Sequence, residues 1–384
     1  MIGGDRVKSR YIISYLARKH DVTLVTFNHG GEPTKSFRRE LDKMGSRNYV
    51  IPLNPIKAGA RSLFRLPGKL PLEIMFYYQK EFRDKVEELV AENDFDLGIA
   101  FFMRTAEYIK DKPFKKILMA EDCRTVYQKR SYEKSVNLKQ KLIRRFEWRR
   151  LRRYEPQMME MFDLATFVTH QDIDHIKKLN PNGEYRLISN GTEVDKFKPA
   201  GPFEERSGIL FAGRLDLWAN ELMIRSIVRD ILPRVRERAP GATFSIAGAN
   251  PSPSVLALRG KNVNVYSNVP EMLPYLQSHR VFLHPHEGGS GIQNKLLEAM
   301  SAGCPVITTN IGNQGIDGES GRDLLIAGAT DEFVDATVKL LTDDAFAKKI
   351  SENARKLIIK NHSWDSVYEQ MDSALEELFG TGAR

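Results

Sequence analysis

Apolar positions along this chain follow two periods. Short continuous apolar runs alternate with stretches in which apolar residues recur at helical spacing. The clearest junction is Val281–Thr309, VFLHPHEGGSGIQNKLLEAMSAGCPVITT. Val281–Leu283 predicts a buried strand and His284–Gly291 a loop. Ile292, Leu296, Leu297 and Met300 then predict one face of a helix. Gly303 marks the end of that helix, and Cys304–Thr309 predicts the next buried strand. Upstream the same alternation gives strand Gly208–Ala212, helix Glu221–Ala239, strands Ala242–Ala247 and Val263–Tyr266, and helix Glu271–Ser278. Strands that alternate with helices predict a parallel sheet in an α/β domain.

The first half carries a second, looser set. It gives helix Lys8–Lys19, strands Asp21–Phe27 and Tyr49–Leu53, a basic loop Lys57–Leu70 and a long helix Leu72–Glu92. Strands Phe95–Phe101 and Lys116–Ala120 follow, then a long helix Leu138–Met161 that Pro156 is expected to kink or end early. Strand Phe162–Thr169, helix Asp172–Leu179 and strand Tyr185–Ile188 complete it. Pro199-Ala200-Gly201-Pro202 reads as a linker between two domains. A nucleotide-type α/β domain starts with a strand ahead of its first Gly-rich loop. Here Gly3-Gly4 leads straight towards a helix, so a central strand is expected upstream of the numbered chain. Helices Thr330–Leu341 and Ala345–Asn361 follow the second domain. Ser363-Trp364-Asp365 predicts the start of a last helix ending near Phe379, with Gly380–Arg384 disordered.

Composition narrows the class. The chain has 384 residues, 41% apolar and 28% charged, which suits two globular domains. Two cysteines, Cys123 and Cys304, offer no disulfide framework and suit a reducing compartment. The net charge of +8 favours anionic partners. Much of it sits in Lys139–Arg153, where Lys139, Lys141, Arg144, Arg145, Arg149, Arg150, Arg152 and Arg153 face one acid, Glu147. Leu142, Phe146 and Trp148 are interleaved. An anionic membrane surface and a plainly solvated helix face fit this pattern equally. No zinc-finger or RNP-type motif accompanies it, so nucleic acid is not expected.

Candidate chemistry concentrates in the loop after Leu283. Gly288, Gly289 and Gly291 let backbone approach a ligand, and the helix behind aims free N–H groups and a positive dipole end at the same place. Lys295 and Glu298 share one helical face, a cation for phosphate and a carboxylate for ribose hydroxyls. An ordinary strand–loop–helix with surface charges has the same spacing. Gly213-Arg214 ends the first strand of this domain, where a guanidinium can grip a diphosphate in a fork. Gly248 closes the next strand. In the first half, Arg104, Glu107, Glu121, Asp122 and Arg124 lie at the carboxyl ends of strands, facing a ligand crevice. For each alone, a structural or solvated role is the competing reading.

Gly289, Gly291, Asn294-Lys295, Leu297-Glu298-Ala299-Met300, Gly303 and Pro305-Val306-Ile307 together resemble the donor-nucleotide motif of retaining family-4 glycosyltransferases. One departure stands out. The family has two glutamates with seven residues between them; Glu298 matches the second, but Ser290 stands at the first, with Glu287 nearby. A second departure is Leu217–Asn220, which lacks the lysine that follows Gly-Arg in the family; Lys295 would make up the charge. Asn190–Pro199 resembles the family's hinge segment.

The resemblance implies a GT-B fold, two Rossmann-like domains facing a central cleft: an acceptor-binding domain over 1–200, a nucleotide-sugar-binding domain over 201–362, and a helix at 363–384 crossing back to the first. It implies a hexose moved from a nucleotide diphosphate sugar, UDP or GDP type, to a hydroxyl of a glycan or lipid-linked glycan. A cytoplasmic location is expected, peripheral at the inner face of the membrane if Lys139–Arg153 meets that surface. Arg214 and Lys295 would hold the diphosphate. Glu298 would take the ribose, and Gly213, Gly248 and Val269 would line the donor site. Glu287, Ser290 and the backbone of Gly288, Gly289 and Gly291 would meet the sugar or phosphates. Gly3, Gly4, Arg104, Glu107 and Arg124 would face the acceptor, with Asp122 the candidate base. No cofactor and no metal ion are implied. The rival readings are an epimerase or hydrolase of the same fold and a non-catalytic anion- or membrane-binding protein.

Overall fold

A computed structural model describes residues 4–29, 33–64, 68–135, 137–288 and 291–380. The chain divides into two compact units, residues 1–188 with 368–384, and residues 189–367.

In the first unit the elements run α1 (Gly4–Leu16), β1 (Thr23–His29), α2 (Lys35–Asp42), β2 (Arg47–Leu53), α3 (Pro55–Phe64), α4 (Leu72–Tyr77), α5 (Lys80–Glu92), β3 (Leu97–Phe101), β4 (Lys115–Glu121), α6 (Arg124–Lys134), α7 (Leu138–Met159), β5 (Leu164–Phe167), α8 (His170–Leu179) and β6 (Tyr185–Leu187). β1 pairs with β2, and a separate sheet has the order β3-β4-β5-β6; every pairing is parallel. Leu118, Ala165, Phe167 and Ile176 are buried in the core of the larger sheet.

Three first-half expectations change. Of the expected loop Lys57–Leu70, residues 57–64 are instead the body of α3, and 65–67 lie outside the described residues. Asn54 Oδ1 accepts from the N–H groups of Ile56 (3.0 Å) and Lys57 (3.1 Å), and Pro55 opens the helix. The stretch Leu72–Glu92 is two helices. The Tyr108 hydroxyl accepts from the Gln79 N–H (2.8 Å) and donates to the Tyr77 carbonyl, replacing the helical bonds between them. α7 is not ended early by Pro156 and runs to Met159, its last turns held by buried Leu151, Tyr154 and Met158.

The second unit continues with β7 (Ile209–Arg214), α9 (Trp218–Ser226), α10 (Leu232–Arg238), β8 (Phe244–Ala249), α11 (Pro253–Leu256), β9 (Val263–Ser267), α12 (Leu273–Ser278), β10 (Val281–His284), α13 (Asn294–Ser301), β11 (Val306–Thr308), β12 (Leu325–Ile326), α14 (Thr330–Thr342) and α15 (Asp344–His362); α16 (Trp364–Phe379) begins at its end. Its six strands form one parallel sheet in the order β12-β11-β10-β7-β8-β9. Phe211, Phe244, Phe282 and Leu283 are fully buried in it. The expected helix Glu221–Ala239 is interrupted by a wide π turn at Ile227–Ile231. Pro233 has no N–H to give the turn before it, so regular helical bonding fails there.

The division falls at Ile188/Ser189, ahead of Pro199–Pro202, and again at Val367/Tyr368. Local contacts give the reason. Ser189 Oγ lies 2.7 Å from His362 Nδ1, Thr192 bridges to Ser363, and Gly191 abuts the Trp364 indole so closely that a Cβ would come within 2.5 Å of it. These contacts tie 189–197 into the second unit. From Tyr368 onward α16 belongs to the first. There the Tyr15 and Tyr368 rings stack at 4.0 Å, and Asp372 accepts from the Tyr15 hydroxyl (2.5 Å) and Lys19 Nζ (2.9 Å). Of the tail expected to be disordered, residues 381–384 lie outside the described residues.

Candidate active site

The sheet order of the second unit reverses between β7 and β10, and open α/β sheets bind ligands beyond the strand carboxyl ends at that point. β7 ends there in Gly213-Arg214 and β10 in His284. β8 ends alongside β7 with Gly213 opposite Gly248. A Cβ on Gly248 would sit 1.8 Å from the Gly213 carbonyl oxygen, so the two strand ends pack at a separation only glycine permits. The Gly248 carbonyl then accepts from the Asn268 N–H at 2.6 Å, fixing the turn that leads to buried Val269.

Lys295 reaches this place from α13. The helix is held by Leu296, Leu297, Ala299 and Met300, all fully buried, and it ends where expected, with Gly303 at φ +70°. It starts at Asn294, later than the apolar run suggested. Ile292 precedes the helix, and Gly291 at φ +74° turns the chain into it. Asn190 Nδ2 donates to Asn294 Oδ1 (2.8 Å) and steadies the first residue. Lys295 Nζ donates to Asn220 Oδ1 (3.0 Å), and Asn220 Nδ2 donates to the Arg214 carbonyl (2.7 Å). The ammonium also lies 5.0 Å from the centre of the Phe211 ring. A Cβ on Gly213 would come within 3.6 Å of Nζ. Burial lowers the Lys295 pKa to about 8. A cation at the switch point, paired with an amide rather than a carboxylate, keeps its charge for an incoming anion.

Asn220 is the residue that sequence reasoning passed over. It stands in the stretch that lacks the expected lysine, and its amide fixes a lysine arriving from another helix. His284 was also missed. It is fully buried, its Nδ1 lies 3.1 Å from Thr308 Oγ1, and its Nε2 has no hydrogen-bond partner among the described residues. Burial, with Lys295 and His286 nearby, holds it neutral well below its ordinary range. The strand was expected to stop at Leu283 with His284 opening the loop; β10 instead runs on through His284.

The remaining donor-side residues differ in setting. Arg214 is exposed and forks onto Asp216, with Nη2 2.6 Å from Oδ2. Glu298 is half-buried, and burial raises its pKa to about 7 against the opposing effect of Lys196. Its carboxyl can therefore donate as well as accept near neutrality. Glu287 is exposed and Gly288 half-buried, while Gly289 and Ser290 lie outside the described residues.

In the first unit Arg104, Asp122 and Arg124 come together around a residue not anticipated, Glu73. Arg124 donates to Glu73 Oε2 from Nε (3.1 Å) and Nη2 (2.6 Å), Arg104 lies 3.8 Å from Glu73, and Asp122 lies 3.5 Å from Arg124. Glu107 is apart from them; it accepts from the Tyr154 hydroxyl (2.8 Å) and pairs with Lys110. Glu121 forms a buried pair with Lys8 at 2.8 Å and adopts φ +70°. Gly4 is the first residue of α1, and Gly3 lies outside the described residues. Among the described residues no group of three or more His, Cys, Asp and Glu side chains could hold a metal ion, and no helix is long and apolar enough to cross a membrane.

Two parallel-sheet units, one with the half-buried Lys295 ammonium at its switch point, define a two-unit α/β class. Residues 206–343 match the family model of glycosyl transferases group 1. The chain is 19% identical to an uncharacterized 44.6 kDa protein of the cps region of Klebsiella pneumoniae, over 92% of this chain and 90% of that one. It is 25% identical to phosphatidyl-myo-inositol mannosyltransferase of Mycobacterium tuberculosis over 216 residues, 51% of this chain and about half, 55%, of that protein. The crystal structure of HepE from Anabaena in complex with UDP and glucose superposes with a TM-score of 0.67 at 13% identity, covering 98% of this chain and 96% of that one. The fold is that of the GT-B structures, and residues 206–343 carry a glycosyl transferases group 1 domain.

Proposed function

We propose that the chain is a retaining, family-4 type glycosyltransferase of polysaccharide biosynthesis. It would move a hexose from a nucleoside diphosphate sugar to a hydroxyl of a glycan or lipid-linked glycan. The observation that carries this reading is Lys295 Nζ, half-buried at the switch point and held by Asn220 rather than paired with a carboxylate. A diphosphate leaving group gains charge as the glycosidic bond breaks, and a preorganised cation there stabilises the transition state more than the ground state. Arg214 would leave Asp216 to close on the diphosphate, and Glu298 would bind ribose hydroxyls. The complexes of HepE with UDP and with UDP-glucose favour a uridine donor over a guanosine one. Asp122 remains the candidate base, now seen beside Arg124 and Glu73.

Calorimetry with UDP, GDP and ADP tests the donor site. One diphosphate is expected to bind selectively. Arg214→Ala is expected to weaken it by about tenfold, the worth of a charged hydrogen bond less the cost of leaving Asp216. Equal response to all three nucleotides, unchanged in the variant, would place the donor elsewhere. The transfer is also proposed to proceed without a bound divalent ion; turnover in excess EDTA should equal turnover without it.

A further inference from the structure

Over Lys139–Arg153 helix α7 reads from sequence as a basic helix with one acid, Glu147, and Glu155 follows just beyond. The structure removes both acids from its surface. Glu147 turns inward and accepts from the N–H groups of Leu72 (2.7 Å) and Glu73 (3.1 Å), capping α4. Glu155 is fully buried and accepts from the N–H groups of Arg124 (2.8 Å) and Thr125 (2.9 Å), capping α6. Lys139, Arg145, Arg149, Arg152 and Arg153 stay exposed, and among the described residues no ion pair engages them. Between these cations the same side exposes Leu138 (72%), Leu142 (58%) and Phe146 (38%), at i, i+4 and i+8 on one helical stripe. Beside the stripe runs a groove of about 1490 Å³ whose wall includes Leu142, Arg145, Phe146, Arg149 and Met161. The acid in that wall, Glu107, is taken up by Tyr154 and Lys110.

We propose that the exposed face of α7 docks on an anionic phospholipid bilayer, with Leu138, Leu142 and Phe146 entering the interface and the five cations meeting lipid phosphates. The inference goes beyond the donor-site reading and stands or falls separately from it. Charge chooses the occupant. A second copy presenting this face would set five cations against five. A duplex nucleic acid would satisfy the cations but leave the apolar stripe against phosphate and water. A bilayer of anionic lipid satisfies both in one plane. α7 lies flat on such a surface, since its inner side is committed to the core through Leu151, Tyr154 and Met158.

The test is co-sedimentation of the full chain with vesicles of phosphatidylglycerol and phosphatidylcholine, against vesicles of phosphatidylcholine alone. Binding to the first and not the second is expected, weakening as salt rises. Each basic residue removed near such a surface should weaken binding about fivefold. The combined change of Arg145, Arg149, Arg152 and Arg153 to Gln should therefore reduce it at least tenfold. Phe146→Ser tests the apolar part and should reduce binding several-fold at high salt, where charge is screened. All five positions are exposed, so melting temperature should hold in both variants and turnover on a soluble acceptor should be retained. Equal binding to both vesicle types, or vesicle binding untouched by either variant, would overturn the proposal. So would a duplex DNA that binds more tightly than the anionic vesicles and displaces them.

Discussion

Lys295→Met is expected to lower transfer by about 10²–10³-fold, the cost of deleting one preorganised donor to a developing oxyanion. Methionine keeps an unbranched apolar stem against Phe211, so the loss should come from the ammonium and not from packing. Diphosphate affinity should fall as well, though less, because the charge on the leaving group grows only as the bond breaks. The pH dependence separates this role from a structural one. With its pKa lowered by burial to about 8, Lys295 loses its proton in the free enzyme as pH rises past that value. The rate at low donor should then show an alkaline limb near pH 8 that Lys295→Met lacks. Stability should move the other way. The unfolded chain keeps this proton up to the ordinary value of 10.5, so between about 8 and 10.5 the unfolded state binds more protons and stability rises with pH. The wild type should gain melting temperature over that window relative to the variant. A variant with full turnover, or one that keeps the alkaline limb, would remove Lys295 from the donor site.

Asn220 sets how that lysine behaves, and it explains why part of the site was illegible. The strand–loop–helix at Val281–Ser301 was readable because its buried face repeats at fixed spacing. The glycines at strand ends were readable because they interrupt apolar runs. The Lys295–Asn220 hydrogen bond joins residues far apart in the chain, and an asparagine in a polar stretch has no pattern of its own. Glu73 and Glu155 failed to register for the same reason, and Glu147 registered only as the one acid among cations. On a helix their spacing predicts solvated carboxylates, and only the tertiary fold turns them onto backbone N–H groups or arginines. The break between α4 and α5 depends on a hydroxyl from Tyr108, which no local propensity encodes. α3, by contrast, was legible and passed over, since Asn54-Pro55 is an N-cap followed by a first-turn proline. The parallel sheets follow from alternation, but the strand order that sets the switch point does not, because pairing between distant strands leaves no local pattern; the loop between Glu287 and Gly291 was singled out by its glycine content, and Gly289 and Ser290 lie outside the described residues.

The second large effect is expected from a single methyl group. Gly248→Ala places a Cβ 1.8 Å from the Gly213 carbonyl oxygen, well inside contact distance, and the neighbour is backbone that cannot swing away. Relief requires β7 and β8 to part at their carboxyl ends, at the cost of paired bonds between them and of the Asn268–Gly248 bond. Destabilisation of about 3 kcal/mol or more is expected, in the range of severe overpacking. Denaturant unfolding of the second unit's signal would read it. Two other glycines make the comparison sharp. Gly241 has no heavy atom within 4 Å of a built Cβ, so Gly241→Ala should stay within about 0.5 kcal/mol of wild type. At Gly213 the nearest atoms are Asn220 Nδ2 at 3.3 Å and Lys295 Nζ at 3.6 Å, both ends of side chains. Gly213→Ala, strained by φ +149°, should cost moderate stability yet intrude where the diphosphate is proposed to sit. Its donor affinity should fall further than its melting temperature predicts. If Gly248→Ala folds with wild-type stability, the close approach of β7 and β8 is wrong, and with it the geometry that brings Gly213, Asn220 and Lys295 to one place.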